Sequence, residues 1–155
     1  MSSTWQIDPT TLQPVILDPA GFRAEFRADP YLPVIEALWG GRAAEALAHL
    51  EPQDASFRAR VLRAECLAAN GNTPQAEQML LALLREEAGS PREAVLHQHY
   101  GKLLFRAARY RQALTEFRHA LRLRQQAQAP PDQLASSRLA VERTTELLAT
   151  ARPTD

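Results

Sequence analysis

The sequence predicts an all-α fold, and three observations carry the prediction. Apolar residues recur at intervals of three and four, as in Phe57, Val61, Ala64 and Leu67, then Ala76, Leu80 and Leu83. Helix-start signals repeat, each a capping side chain followed by proline: Asp18-Pro19, Asp29-Pro30, Thr73-Pro74 and Ser90-Pro91. Strand-like alternation is almost absent. The nearest case, Pro14-Val15-Ile16-Leu17, is too short and too close to proline to anchor a sheet.

Taken in order, residues 1–28 read as an N-terminal arm, partly irregular, with Trp5, Ile7, Leu12, Val15 and Ile16 scattered without helical period. Phe22 and Phe26, one turn apart, mark a short helix at its end. So many apolar residues predict that the arm docks, either on its own helices or on a neighbouring molecule in a homo-oligomer. A helical domain over 29–151 follows, with helices at 30–39, 42–51, 54–70, 74–87, 91–108, 110–127 and 132–151, and then a tail at 152–155. The start at Ser90 is the best marked, because Glu93 stands three residues on and can return a hydrogen bond to the cap. Short connections at Gly40-Gly41, Gly71-Asn72 and Ala107-Ala108-Arg109 force neighbouring helices antiparallel.

With 155 residues, 45% of them hydrophobic, the chain can build one domain with its own core. Eighteen basic residues balance eighteen acids, which argues against a general nucleic-acid binder. The only cysteine, Cys66, lies in an apolar helical pattern, so the expectation is a buried, inert thiol with no disulfide framework. The first twenty residues lack a leader pattern and no stretch approaches membrane-spanning length, so a cytoplasmic location is expected. Lys102 is the single lysine, a bacterial-like bias toward codons rich in G and C.

Aligning the turns reveals an internal repeat. Gly41, Gly71 and Ala108 each stand five residues before a small residue (Ala46, Ala76, Ala113), and each of those stands four before a large apolar one (Leu50, Leu80, Phe117). The turns are 30 and 37 residues apart. In the third pair, His97-x2-Tyr100-Gly101-x2-Leu104 is followed by Tyr110, Ala113-x3-Phe117 and Ala120. This segment, 94–127, resembles the tetratricopeptide repeat family, whose first helix carries W-x2-L-G-x2-Y and whose second carries A-x3-F. Ala64 and Leu67, then Ala76 and Leu80, stand at the matching places of the second pair, and Gly41, Ala46 and Leu50 at those of the first. Small residues at Ala64, Ala76, Gly101 and Ala113 allow close approach of helix axes. The resemblance implies about three helix pairs plus a closing helix, stacked as a short right-handed α-solenoid.

Candidate chemistry is sparse. His97 and His99 are two apart and diverge on a helix, while His49 and His119 lack ligand-spaced neighbours, so no metal or other cofactor is expected. Phosphate loops, nucleophile elbows and zinc-protease helices are absent, and no nucleophile, base and orienting group can be nominated together, so no enzyme is expected. The informative feature is charge: Lys102, Arg106, Arg109, Arg111, Arg118, Arg122 and Arg124 face a single acid, Glu116, over 102–124. In the family resembled, the first helix of each pair lines a concave groove for a peptide or helix. The resemblance therefore implies a groove at Gln98, Lys102 and Arg106, with Arg58, Val61, Leu62 and Glu65 as equivalents in the preceding pair. The expected function is a protein-binding scaffold, adaptor or chaperone-like, for an acidic segment. The alternatives are a regulatory or nucleic-acid-binding module using the arginines, and a structural protein that self-associates.

Overall fold

A computed structural model describes residues 3–150 of the chain, so the tail at 152–155 and the last position of the 29–151 domain lie outside the described residues. The described chain is all-α in its main architecture. Eight helices, α1 Pro19–Glu25, α2 Leu32–Trp39, α3 Ala43–His49, α4 Phe57–Ala69, α5 Thr73–Glu86, α6 Glu93–Arg106, α7 Tyr110–Gln126 and α8 Pro131–Thr150, follow one small hairpin of β1 Trp5–Ile7 and β2 Pro14–Ile16.

The hairpin supplies the ordered part of an arm expected to be partly irregular. Trp5 pairs with Ile16, Gln6 with Val15 and Ile7 with Pro14 in an antiparallel register. Pro14 is tolerated because it opens its strand, where a missing donor does least harm. The arm is also not a separate piece. The chain forms two compact units, Met1–Asp8 with Gln13–Met79, and Pro9–Leu12 with Leu80–Asp155. In the first unit Trp39 of α2 gathers the arm's aromatic rings, with centroids 4.9 Å from Trp5, 5.5 Å from Phe22 and 6.4 Å from Phe26. Of the arm's apolar residues Trp5 and Ile16 pack against this unit's core, while Val15 and Leu17 stay as exposed large apolar side chains. Phe22, Val34, Ile35, Ala46, Leu62 and Cys66 are buried in the core beneath.

Capping chemistry sets the boundaries. The Asp18 carboxylate accepts from the Gly21 N–H at 3.0 Å and starts α1 as expected. Asp29 instead accepts from the Tyr31 N–H at 2.8 Å, a turn that delays α2 to Leu32. Ser56 caps α4 through the Ala59 N–H at 3.2 Å, so the helix starts at Phe57 and not at the expected 54. The expected box at Ser90 is displaced: Glu93 accepts from the Gly89 N–H at 2.9 Å, Ser90 Oγ accepts from the Arg92 N–H at 3.1 Å, and α6 begins at Glu93.

The repeat has a backbone signature. Gly41, Gly71 and Ala108 have φ of +81°, +91° and +60°. After each, the next N–H bonds a carbonyl five residues back: Arg42 to Ala37 at 2.8 Å, Asn72 to Leu67 at 2.8 Å and Arg109 to Leu104 at 2.9 Å. The three alanines five residues on, Ala46, Ala76 and Ala113, are each fully buried.

In the second unit α6 and α7 run antiparallel: residue 93 lies near 119, 97 pairs with 116 and 105 with 110. The close approach expected of Gly101 is present: a Cβ there would lie 2.5 Å from Phe117 Cε1. On α8 the buried face is small and polar, with Ser137, Ala140 and Thr144 inward.

Candidate functional site

Of the seven groove residues, the structure leaves few free to line a surface. Val61 and Leu62 are buried in the core, each 6% exposed, because α4 packs with this face inward. Arg58 is exposed but engaged: its guanidinium donates to both Asp29 oxygens at 2.8 and 2.5 Å and lies 5.1 Å from the Tyr31 ring centre. Glu65 is half-buried. Gln98 requires a correction as well. It is 6% exposed, and its Oε1 accepts from Ser137 Oγ at 2.9 Å, so α8 claims the position assigned to the groove. Lys102 is half-buried and Arg106 exposed.

The basic run divides. Arg124 belongs to the interior, donating to Ser137 Oγ at 2.8 Å and to the Gln133 carbonyl at 3.0 Å. Burial lowers its pKa from the ordinary arginine value, which an arginine tolerates without losing its proton. Arg109 donates to Gln112 at 2.7 Å. Arg111, Arg118 and Arg122 remain on the outer face of α7, all exposed. Glu116, the one acid of the segment, is turned away from them toward His97.

That turn creates a cluster the sequence reading missed. His97 Nδ1 lies 2.5 Å from Glu116 Oε2 and its Nε2 lies 3.4 Å from Glu93 Oε1. The His119 ring stacks on His97, with centroids 3.9 Å apart and planes 28° from parallel. Glu93, His97 and His119 each offer a donor atom, and these atoms lie within 4.8 Å of one another. Along the chain His119 has Glu116 three residues before it, a spacing the sequence reading passed over, and antiparallel pairing with α6 brings it Glu93 and His97. One signal was legible: Glu93 and His97 are four apart and share a helix face.

The environment separates the two imidazoles. Burial pushes His97 down, but the carboxylates of Glu116 and Glu93 outweigh it and raise its pKa above the ordinary value. Burial, then the charges of His97 and Arg122, lower that of His119 below the ordinary value. Glu93 is held below the usual carboxylate range, chiefly by the Gly89 N–H. Cys66, by contrast, is inert: burial pushes its thiol up to about 12.

Among the described residues no helix is long and apolar enough to cross a membrane. Compared with protein-family models, curated proteins and solved structures, the chain has no significant match in any of the three.

Proposed function

We propose that the chain is a protein-binding scaffold built of tetratricopeptide-like helix pairs, and that its basic face on α7, with Arg106 of α6, receives an acidic segment of another protein. The observation that carries the reading is the missing counter-charge. Surface helices usually intersperse signs at three- and four-residue spacing. Here Arg111, Arg118 and Arg122 share one exposed face, and the only acid of the segment is committed to His97. The repeat-like reading draws support from the three equivalent turns and the buried alanines that follow them. The reading assigns no catalytic step to this face.

The test is a titration of a labelled, glutamate-rich helical peptide against wild type and Arg118→Glu/Arg122→Glu, with a single-stranded oligonucleotide run in parallel. A charge-assisted contact contributes ~1.5–3 kcal/mol, so reversing two is expected to weaken peptide binding by about 100-fold or more. Circular dichroism should remain helical, because exposed charges contribute little to folding. Equal affinity in the double variant refutes the reading. Tighter binding of the oligonucleotide than of the peptide, falling steeply with salt, replaces it with the nucleic-acid alternative.

A further inference from the structure

We propose that Glu93, His97 and His119 form a binding site for a divalent transition ion, Zn2+ foremost, at the seam of α6 and α7, with Glu116 as the carboxylate that orients His97. Four features of the geometry carry the inference.

The donor set is two imidazole nitrogens and one carboxylate oxygen, the combination that suits Zn2+ and its neighbours and not the all-oxygen preference of Mg2+ or Ca2+. Three protein donors leave one tetrahedral position for water.

His97 is also already oriented for ligation. Metal-bound histidines commonly donate the second ring N–H to a carboxylate, which fixes the tautomer and raises the basicity of the ligating nitrogen. Glu116 Oε2, 2.5 Å from His97 Nδ1, stands in that place and turns Nε2 toward Glu93.

The framework is rigid where it needs to be. Glu93 and His97 are held four residues apart on α6 and His119 three after Glu116 on α7, while Gly101 against Phe117 sets the register between the helices.

The remaining adjustment is small and lies in side chains alone. A tetrahedral ion ~2.1 Å from each donor needs them about 3.4 Å apart, against the 4.8 Å within which they now lie. Two rings stacked 28° from parallel cannot both point at one ion, so one must swing out of the stack. His119, half-buried at the seam, is better placed to do so than the buried His97. Glu93 reaches inward from the first turn of α6.

The test uses the full chain, stripped with a chelator and titrated with Zn2+ by calorimetry and with Co2+ by visible absorption. One ion per chain is expected to bind saturably, with Co2+ developing the intense bands of four-coordination. His119→Ala should remove those bands and weaken Zn2+ binding at least tenfold. Glu116→Gln should weaken it by roughly 10–100-fold, as for other outer carboxylates. His49→Ala, at an exposed histidine outside the cluster, should leave the affinity unchanged. Glu93→Gln repeats the test at a third position should His119→Ala disturb the fold, which circular dichroism without metal reports. Absence of saturable binding by wild type overturns the proposal, and so does wild-type affinity in folded His119→Ala or Glu93→Gln.

Discussion

Adding one methyl group at Gly101 tests the α6–α7 seam directly. A Cβ built there lies 2.5 and 2.6 Å from Cε1 and Cδ1 of Phe117 and 3.1 Å from its Cζ. Carbon atoms in good contact sit ~3.5–4.0 Å apart, so the ring has to retreat by about 1 Å. Phe117 is fully buried, with Phe105 at 6.5 Å between ring centres, and a close-packed interior offers little room for that movement. Overpacking costs ~1–3 kcal/mol, and two contacts this short on a confined ring place Gly101→Ala near the upper end. The higher helix propensity of alanine returns ~1 kcal/mol. A net destabilisation of about 2 kcal/mol follows. Urea unfolding followed by circular dichroism measures it. The same substitution in a Phe117→Leu background should cost less than ~1 kcal/mol, because the obstructing ring is gone. Equal or greater stability of Gly101→Ala would falsify the close approach, and an equal cost in both backgrounds would remove Phe117 as its cause.

Three further outcomes are expected. Ala108 holds φ of +60° at an exposed turn, so Ala108→Gly should stabilise by ~0.5–1 kcal/mol in the same urea assay; a loss of stability would show that the turn carries no strain. Ser137→Ala removes a hydroxyl that accepts from Arg124 and donates to Gln98, leaving two buried polar groups short of a partner at a cost of ~1–3 kcal/mol, whereas a neutral result would mean that water replaces it. For pH, burial raises the Asp29 carboxyl but Arg58 and the Tyr31 N–H outweigh it, and the Arg23 hydrogen bond lowers Glu36, so both lie below their ordinary values when folded. The unfolded chain then binds more protons in that window, and this stability is present above the ordinary carboxylate pKa values of ~4 and lost as pH falls through the folded ones. Unfolding midpoints taken from pH 6 to 3 should fall less in Asp29→Asn/Glu36→Gln than in wild type, and parallel curves would contradict the assignment.

The limits of reading from sequence show at Glu93, Gln98 and Trp5. The resemblance implies a groove at Gln98, Lys102 and Arg106, and the three do stand four apart on α6. What helical phase cannot reveal is which neighbour covers the face, and α8 covers Gln98 through Ser137, thirty-nine residues away. The histidine cluster failed for the same reason, since His119 meets His97 only through the register of two antiparallel helices. The hairpin failed differently. Three-residue strands fall below any usable pattern, and Trp5–Ile7 is held by pairing with Pro14–Ile16 and by Trp39, not by a preference of its own.

By itself the sequence determined the helical class, the turn positions and the small residues that repeat after them. Those properties are local: a period of 3.6, a left-handed turn residue and a buried alanine are each written within about ten residues of chain. Only the tertiary structure decided the division into two units, the packing of the arm's rings on Trp39, the withdrawal of Arg124 and Glu116 from the basic run, and the meeting of two histidines with two glutamates. Each of these depends on the packing of side chains distant in sequence. A shift of one residue in the register of α6 against α7 would turn neighbouring side chains by ~100° and dissolve the cluster while leaving the helical pattern of either helix unchanged.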